Sequence, residues 1–260
     1  MTPGAQLFDE AAWREALATR PDWYTVIGPA WDALQQRWET VDEERARAER
    51  HQVRTIVADA LLHGEVLLAV EGPDRDIERV PITTVVVHHA HSKYALNELE
   101  ATHLLNIYLP ELRREAAASG VAAPVWTGHV RLDTGRQTFV GYHFFVDWDS
   151  ENPAAEPAIT QLLPLAAVGW HAGNWAVNCA SIGVCINGNF DRVAPPPAIV
   201  RAVGQLIVQL EEGVDAPLQI VGHGKVSLNP TTCPGDTFYG PHGWRRKLVA
   251  AVREAKQNSQ

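Results

Sequence analysis

Thr83-Thr84-Val85-Val86-Val87-His88-His89 is the stretch on which the fold turns. A β-branched run without charge reads as a strand buried on both faces, the kind found in sheets covered by helices. Strand alternation sends His88 and His89 to opposite faces, so only one of them can address a given site. The pair closes the strand at its C-terminal end, where α/β sheets place their ligands.

Downstream, strand and helix signals alternate. Residues 138–148 and 159–163 read as strands. Ser181 to Ile186 reads as a short buried strand closed by Asn187-Gly188-Asn189, and Leu218 to Val221 as the next. Between them, Asn97 with Glu100 three residues on is a capping-box signal. It predicts a helix carrying Leu99, Leu104, Ile107 and Tyr108 near one face, broken or kinked at Pro110. Prolines open a second helix over 195–212. Ile199, Val203, Leu206 and Leu210 keep helical spacing there, and Gly213 follows as a stop. A basic helix over 243–256 closes the chain. The alternation predicts an α/β fold with helices on the faces of a sheet.

Upstream the grammar differs. Four of the nine tryptophans (Trp13, Trp23, Trp31, Trp38) fall in residues 1–80. A short helix is predicted from Asp9 to Arg20. A longer one runs from 29 to 63, with Trp31, Leu34, Trp38 and Val41 at helical spacing and Gly64 as its stop. The chain is therefore expected to divide into a helical N-terminal extension, 1–80, and a second domain, 81–260.

Composition narrows the function classes. The chain has 260 residues, 46% hydrophobic and 20% charged, as in ordinary globular proteins. It lacks the 18-residue apolar run of a membrane span and a basic-then-apolar leader, so it is expected to be cytoplasmic as synthesised. A net charge of −9 argues against a nucleic-acid partner. Three cysteines, Cys179, Cys185 and Cys233, are not a disulfide framework. Two imidazoles and one thiolate, however, form a donor set suited to zinc with an open position for water. His88, His223 in Gly222-His223, and Cys233 in Thr231-Thr232-Cys233-Pro234-Gly235 supply such a set if the fold brings them together.

These segments, with Gly141-Tyr142-His143-Phe144, Gly169-Trp170-His171-Ala172 and Ser181-Ile182-Gly183-Val184, resemble in order and rough spacing the type-2 N-acetylmuramoyl-L-alanine amidases. That family includes phage amidase lysozymes, bacterial autolysins and animal peptidoglycan recognition proteins. The resemblance covers about residues 82–256 and implies a mixed central β-sheet flanked by helices. It also implies Zn2+ held by His88, His223 and Cys233, and hydrolysis of the amide between N-acetylmuramic acid and L-alanine in peptidoglycan or muropeptides. By the same resemblance Tyr142 and Thr231 are catalytic, and His89, Trp170, His171, Asn174 and Trp175 line the substrate groove. A non-catalytic peptidoglycan-binding protein is the alternative, although recognition members typically lack the cysteine ligand.

Three departures stand out. His223 and Cys233 are ten residues apart, more than in some members. The insert between His89 and Tyr142 is long, and its Trp126 and His129 are further candidates for the groove wall. Cys185 occupies the position where one branch of the family carries a glutamate, which favours a mechanism resting on zinc, Tyr142 and Thr231.

Overall fold

The computed structural model describes residues 8–67, 74–119 and 129–258. The chain forms two compact units, neither continuous in sequence. The first takes residues up to 74, 95–129 and 136–139, and the second takes 75–94, 130–135 and 140–260. This is not a sequential division at residue 80, because a helical segment that follows the first strand clusters with the N-terminal helices.

In the first unit, α1 (Glu10–Thr19) opens at Asp9, whose carboxylate accepts the Ala12 N–H at 3.1 Å. The pattern that reads as one helix over 29–63 is two, α2 (Tyr24–Trp38) and α3 (Glu43–His63). Asp42 makes the break by capping α3 through the Arg45 N–H at 2.9 Å, satisfying a donor that has no partner inside a first turn. Gly64 ends α3 in the left-handed region, φ 70°. The next helix, α4 (Leu96–His103), starts earlier than the Asn97–Glu100 pair suggests. Glu98, not Glu100, reaches back to the N-terminal turn, accepting the Ala95 N–H at 3.1 Å. Glu100 is buried, and its carboxylate accepts the Thr138 hydroxyl and the Phe139 N–H. A π-helical turn, Leu104–Tyr108, joins α4 to α5 (Leu109–Ser119). Pro110 is the second residue of α5, directly after the wider π turn, and the chain stays helical through it.

The second unit holds a five-stranded sheet among the described residues: β1 (Thr84–His89), β2 (Phe144–Asp147), β3 (Ala158–Gln161), β4 (Ser181–Ile186) and β5 (Gln219–Gly222). Their order is β3-β2-β4-β1-β5, with only the β2–β3 pair antiparallel. The strand expected over 138–148 is cut to four residues. Its helices are α6 (Trp175–Ala180), α7 (Pro197–Val214), α8 (His223–Val226) and α9 (Trp244–Asn258). α7 runs through Gly213 and stops at Asp215, which adopts the left-handed conformation (φ 52°) and closes onto the Glu211 and Glu212 carbonyls.

Alternation sorts the sheet. Val85, Val87, Phe144, Val146, Ile182, Val184 and Ile186 join one core with Ile199, Val203, Leu206 and Leu210 of α7 and Trp244, Leu248 and Val252 of α9. Each such side chain contributes roughly 1.5–3 kcal/mol on burial. His88 and Cys185 are register partners on β1 and β4, on the face opposite this core.

Candidate metal and active site

β1 delivers His88 at its penultimate position, fully buried. β5 ends at Gly222, and His223 follows as the first residue of α8. A loop then returns Cys233 to the same place. The return needs glycine: a Cβ on Gly222 would lie 2.6 Å from Pro234 Cδ, and one on Gly224 would lie 2.5 Å from the Thr231 carbonyl. The Gly224 N–H fixes the loop through the Cys233 carbonyl at 2.6 Å.

The ligand atoms of His88, His223 and Cys233 thereby fall within 4.8 Å of one another. Cys233 Sγ is 3.9 Å from His88 Nδ1, and the His88 and His223 ring centroids are 4.5 Å apart. The environment suits a cation. Burial pushes the Cys233 thiol up to about 12, so a thiolate at neutral pH calls for a positive charge beside it. Burial lowers His223 to about 4, against the pull of the Ala172 backbone, and keeps its imidazole neutral. Among the described residues His223 Nε2 is buried with no hydrogen-bond partner, as a nitrogen reserved for a metal would be. The residues present therefore fit zinc.

A second trio, His89, His91 and Cys233, has the same proximity. Its chemistry differs. Burial lowers His89 to about 4, and its Nδ1 accepts the Phe190 N–H at 2.9 Å. In that neutral ring Nε2 carries the proton, 3.6 Å from Asp191 Oδ1, and offers no lone pair. Of the strand-end pair, His88 is the one able to ligate through the nitrogen that faces Cys233. His89 packs on the other side, wholly buried, and its backbone N–H supports Cys233 Sγ at 3.3 Å.

Tyr142 stacks obliquely on His88 at 4.9 Å between centroids and hydrogen-bonds Cys185. Burial first, then the neighbouring Cys185 and Cys233, raise its phenol well above 10, so it remains a donor at neutral pH. Burial likewise raises the Cys185 thiol. Thr231 Oγ1 accepts the Cys233 N–H at 3.2 Å, which leaves its own proton to donate.

The expected groove residues separate. Trp170 and Trp175 meet edge to face at 5.9 Å, and both are part-exposed. Trp175 Nε1 donates to Glu78 at 2.7 Å, and Asn174 Nδ2 to the Val226 carbonyl at 3.1 Å. His171 is buried against Gly183, its Nδ1 3.0 Å from His88 Nε2. His129 is buried within the first unit, and Trp126 lies outside the described residues.

Sequence reading missed three supporting residues. Asn178 Oδ1 accepts the N–H groups of His171 (3.2 Å) and Ala172 (2.8 Å). Ser181 Oγ lies 3.4 Å from His171 Nε2. His143 accepts the Gly183 N–H at 3.1 Å through Nδ1 and reaches the Ala167 carbonyl at 3.0 Å through Nε2. His143 and Ser181 stood inside the matched segments, but nothing in the sequence marked them as braces.

Among solved structures, the chain is similar to the N-acetylmuramoyl-L-alanine amidase LysC from Clostridium intestinale URNW (18% identity, 68% of this chain and 88% of that one, TM-score 0.41). It is also similar to a selenomethionine AmpD derivative (18%, 73% and 99%, TM-score 0.43) and to Drosophila peptidoglycan recognition protein SD (19%, 63% and 84%, TM-score 0.37). No curated protein matches. A family profile described as N-acetylmuramoyl-L-alanine amidase matches residues 78–236, from ahead of β1 to just past Cys233. Since that match takes in more than half of the chain and all three clustered donors, the chain belongs to the N-acetylmuramoyl-L-alanine amidase family.

Proposed function

We propose that this chain is a zinc-dependent amidase that hydrolyses the bond between N-acetylmuramic acid and L-alanine in peptidoglycan or soluble muropeptides. The observation that carries the reading is the convergence of His88, His223 and Cys233 from three separate parts of the chain, with their donor atoms within 4.8 Å. When bound, zinc supplies a Lewis acid and lowers the pKa of its water toward about 7.

The protein's own groups do the rest. Tyr142, kept protonated by burial, donates to the oxygen on which negative charge develops as water adds to the lactyl carbonyl. Thr231, on the loop that carries Cys233, donates as a neutral and weaker partner than a cation would be. Thr231 is tied to the Cys233 loop and Tyr142, just ahead of β2, packs against His88, so both donors are in place before substrate arrives and little reorganisation accompanies the reaction. Trp170 and Trp175 offer part-exposed aromatic surface for the glycan or stem peptide.

The test is mass spectrometry of muropeptides incubated with the protein, with and without a chelator. Release of peptides beginning at L-alanine, lost with chelator and restored by zinc, is the expected result. Intact muropeptides despite stoichiometric zinc would replace the amidase reading with that of a binding protein.

A further inference from the structure

The bonds around His88 carry one step more, which rests on the zinc reading above. Ser181 Oγ donates to the Val177 carbonyl at 2.6 Å, at the junction of α6 and β4. Its single proton is thereby used, so toward His171 Nε2 at 3.4 Å the hydroxyl can only accept. His171 Nε2 then carries a proton, and in the singly protonated ring Nδ1 is the accepting nitrogen. That accepting nitrogen sits 3.0 Å from His88 Nε2, which is therefore the N–H of the pair. In that tautomer Nδ1 is the unprotonated nitrogen of His88, and it faces Cys233 Sγ at 3.9 Å.

We infer that His171 is a positioning residue: with Ser181 behind it, it holds His88 in the Nε2–H tautomer and so presents Nδ1 as the metal-binding atom. Nothing about substrate contact is needed for this role, and the burial of His171 suits it. The ring has no room to turn aside. Its carbon edge lies where a Cβ on Gly183 would sit, 2.7 Å away, so any side chain there would expel it. Asn178 fixes the backbone of His171 from the other end. Metal-binding histidines characteristically give their second N–H to a carboxylate, a carbonyl or water, and losing that partner costs about 10–100-fold in metal affinity. Here another imidazole takes that place.

Two variants and one spectrum test it. His171→Asn places a carbonyl oxygen close to the former Nδ1 position and can still accept from His88. His171→Leu cannot. In competition against a chromophoric chelator, His171→Leu is expected to bind zinc about 10–100-fold more weakly than wild type, and His171→Asn within a few-fold of it. A residue that merely filled space would favour leucine over asparagine. Two-bond 1H–15N correlation spectra of the metal-free protein are expected to show His88 as the Nε2–H tautomer. Equal zinc affinity of His171→Leu and wild type, or an Nδ1–H tautomer at His88, would overturn the inference. The zinc reading fails separately, by absence of tight binding in the wild type or by its persistence in Cys233→Ser.

Discussion

At the scale of single residues, the site depends on groups whose ordinary ionisation is suppressed. Tyr142 is held as a phenol, and replacing it with phenylalanine removes one donor while leaving the ligand set alone. Tyr142→Phe is expected to lower turnover about 10²–10³-fold, the range for deleting one oxyanion donor, with zinc content by elemental analysis unchanged. Full activity would remove Tyr142 from the catalytic machinery. Cys233→Ser acts differently, because it exchanges the soft donor for a hydroxyl. Zinc retained after dialysis against chelator should fall well below one equivalent, and retention at the wild-type level would exclude Cys233 as a ligand. The three residues that cluster, His88, His223 and Cys233, drew attention in the sequence because they sit in short ordered motifs, and strand alternation separated His88 from His89. The sequence did not reveal that His89 has its lone pair occupied by Phe190, a contact between distant parts of the chain, or that Ser181 and Asn178 anchor His171, since the turn that brings those near neighbours together has no motif of its own.

At the scale of elements, periodicity worked where one face alone is buried and failed where the two ends of a segment serve different neighbours. The pattern of α7 was plain from Ile199, Val203, Leu206 and Leu210, yet its end at Asp215 was not, because closure onto Glu211 and Glu212 overrides the glycine signal. The strand expected over 138–148 shrank because Thr138 and Phe139 turn to Glu100 in the first unit instead of pairing. One contact in the α7–α9 layer is open to a direct test. A Cβ on Gly204 would stand 2.8 Å from Ala251 Cβ and 3.1 Å from its carbonyl carbon, so the two helices approach through the missing side chain. Gly204→Ala should destabilise by about 1–3 kcal/mol despite alanine's better helix propensity, read as a lowered thermal midpoint. An unchanged or raised midpoint would show that the helices separate freely.

At the scale of the whole molecule, the interleaving of the units matters most, and it was invisible to a reading that proceeds along the chain. Leu99, Leu104, Leu105, Tyr108 and Leu109 are almost fully buried in the unit that also contains α1 to α3. A chain starting at residue 81 should strip these side chains of cover and be recovered aggregated. A soluble, cooperatively unfolding fragment would contradict this. Acid should act on the same unit. Burial lowers His103 to about 4, below the 6.5 of an exposed imidazole, so between those values the unfolded chain binds the proton that the folded one refuses. Stability is intact above pH 6.5 and declines as pH falls toward 4, by up to roughly 3 kcal/mol at 1.36 kcal/mol per unit. Denaturant midpoints at pH 7 and 4.5 should differ less in His103→Leu than in wild type, and an equal difference would show that His103 is not the group responsible. β1, finally, lies between β4 and β5, both made after it. During synthesis its Val85-Val86-Val87 run leaves the ribosome with neither neighbour in existence, and it waits for residues 181–186 and then 219–222 before both of its edges are satisfied. A nascent chain that pauses in this interval displays a bare, apolar ribbon able to pair with another copy, which makes the rate of translation through β5 a determinant of how much protein is recovered folded.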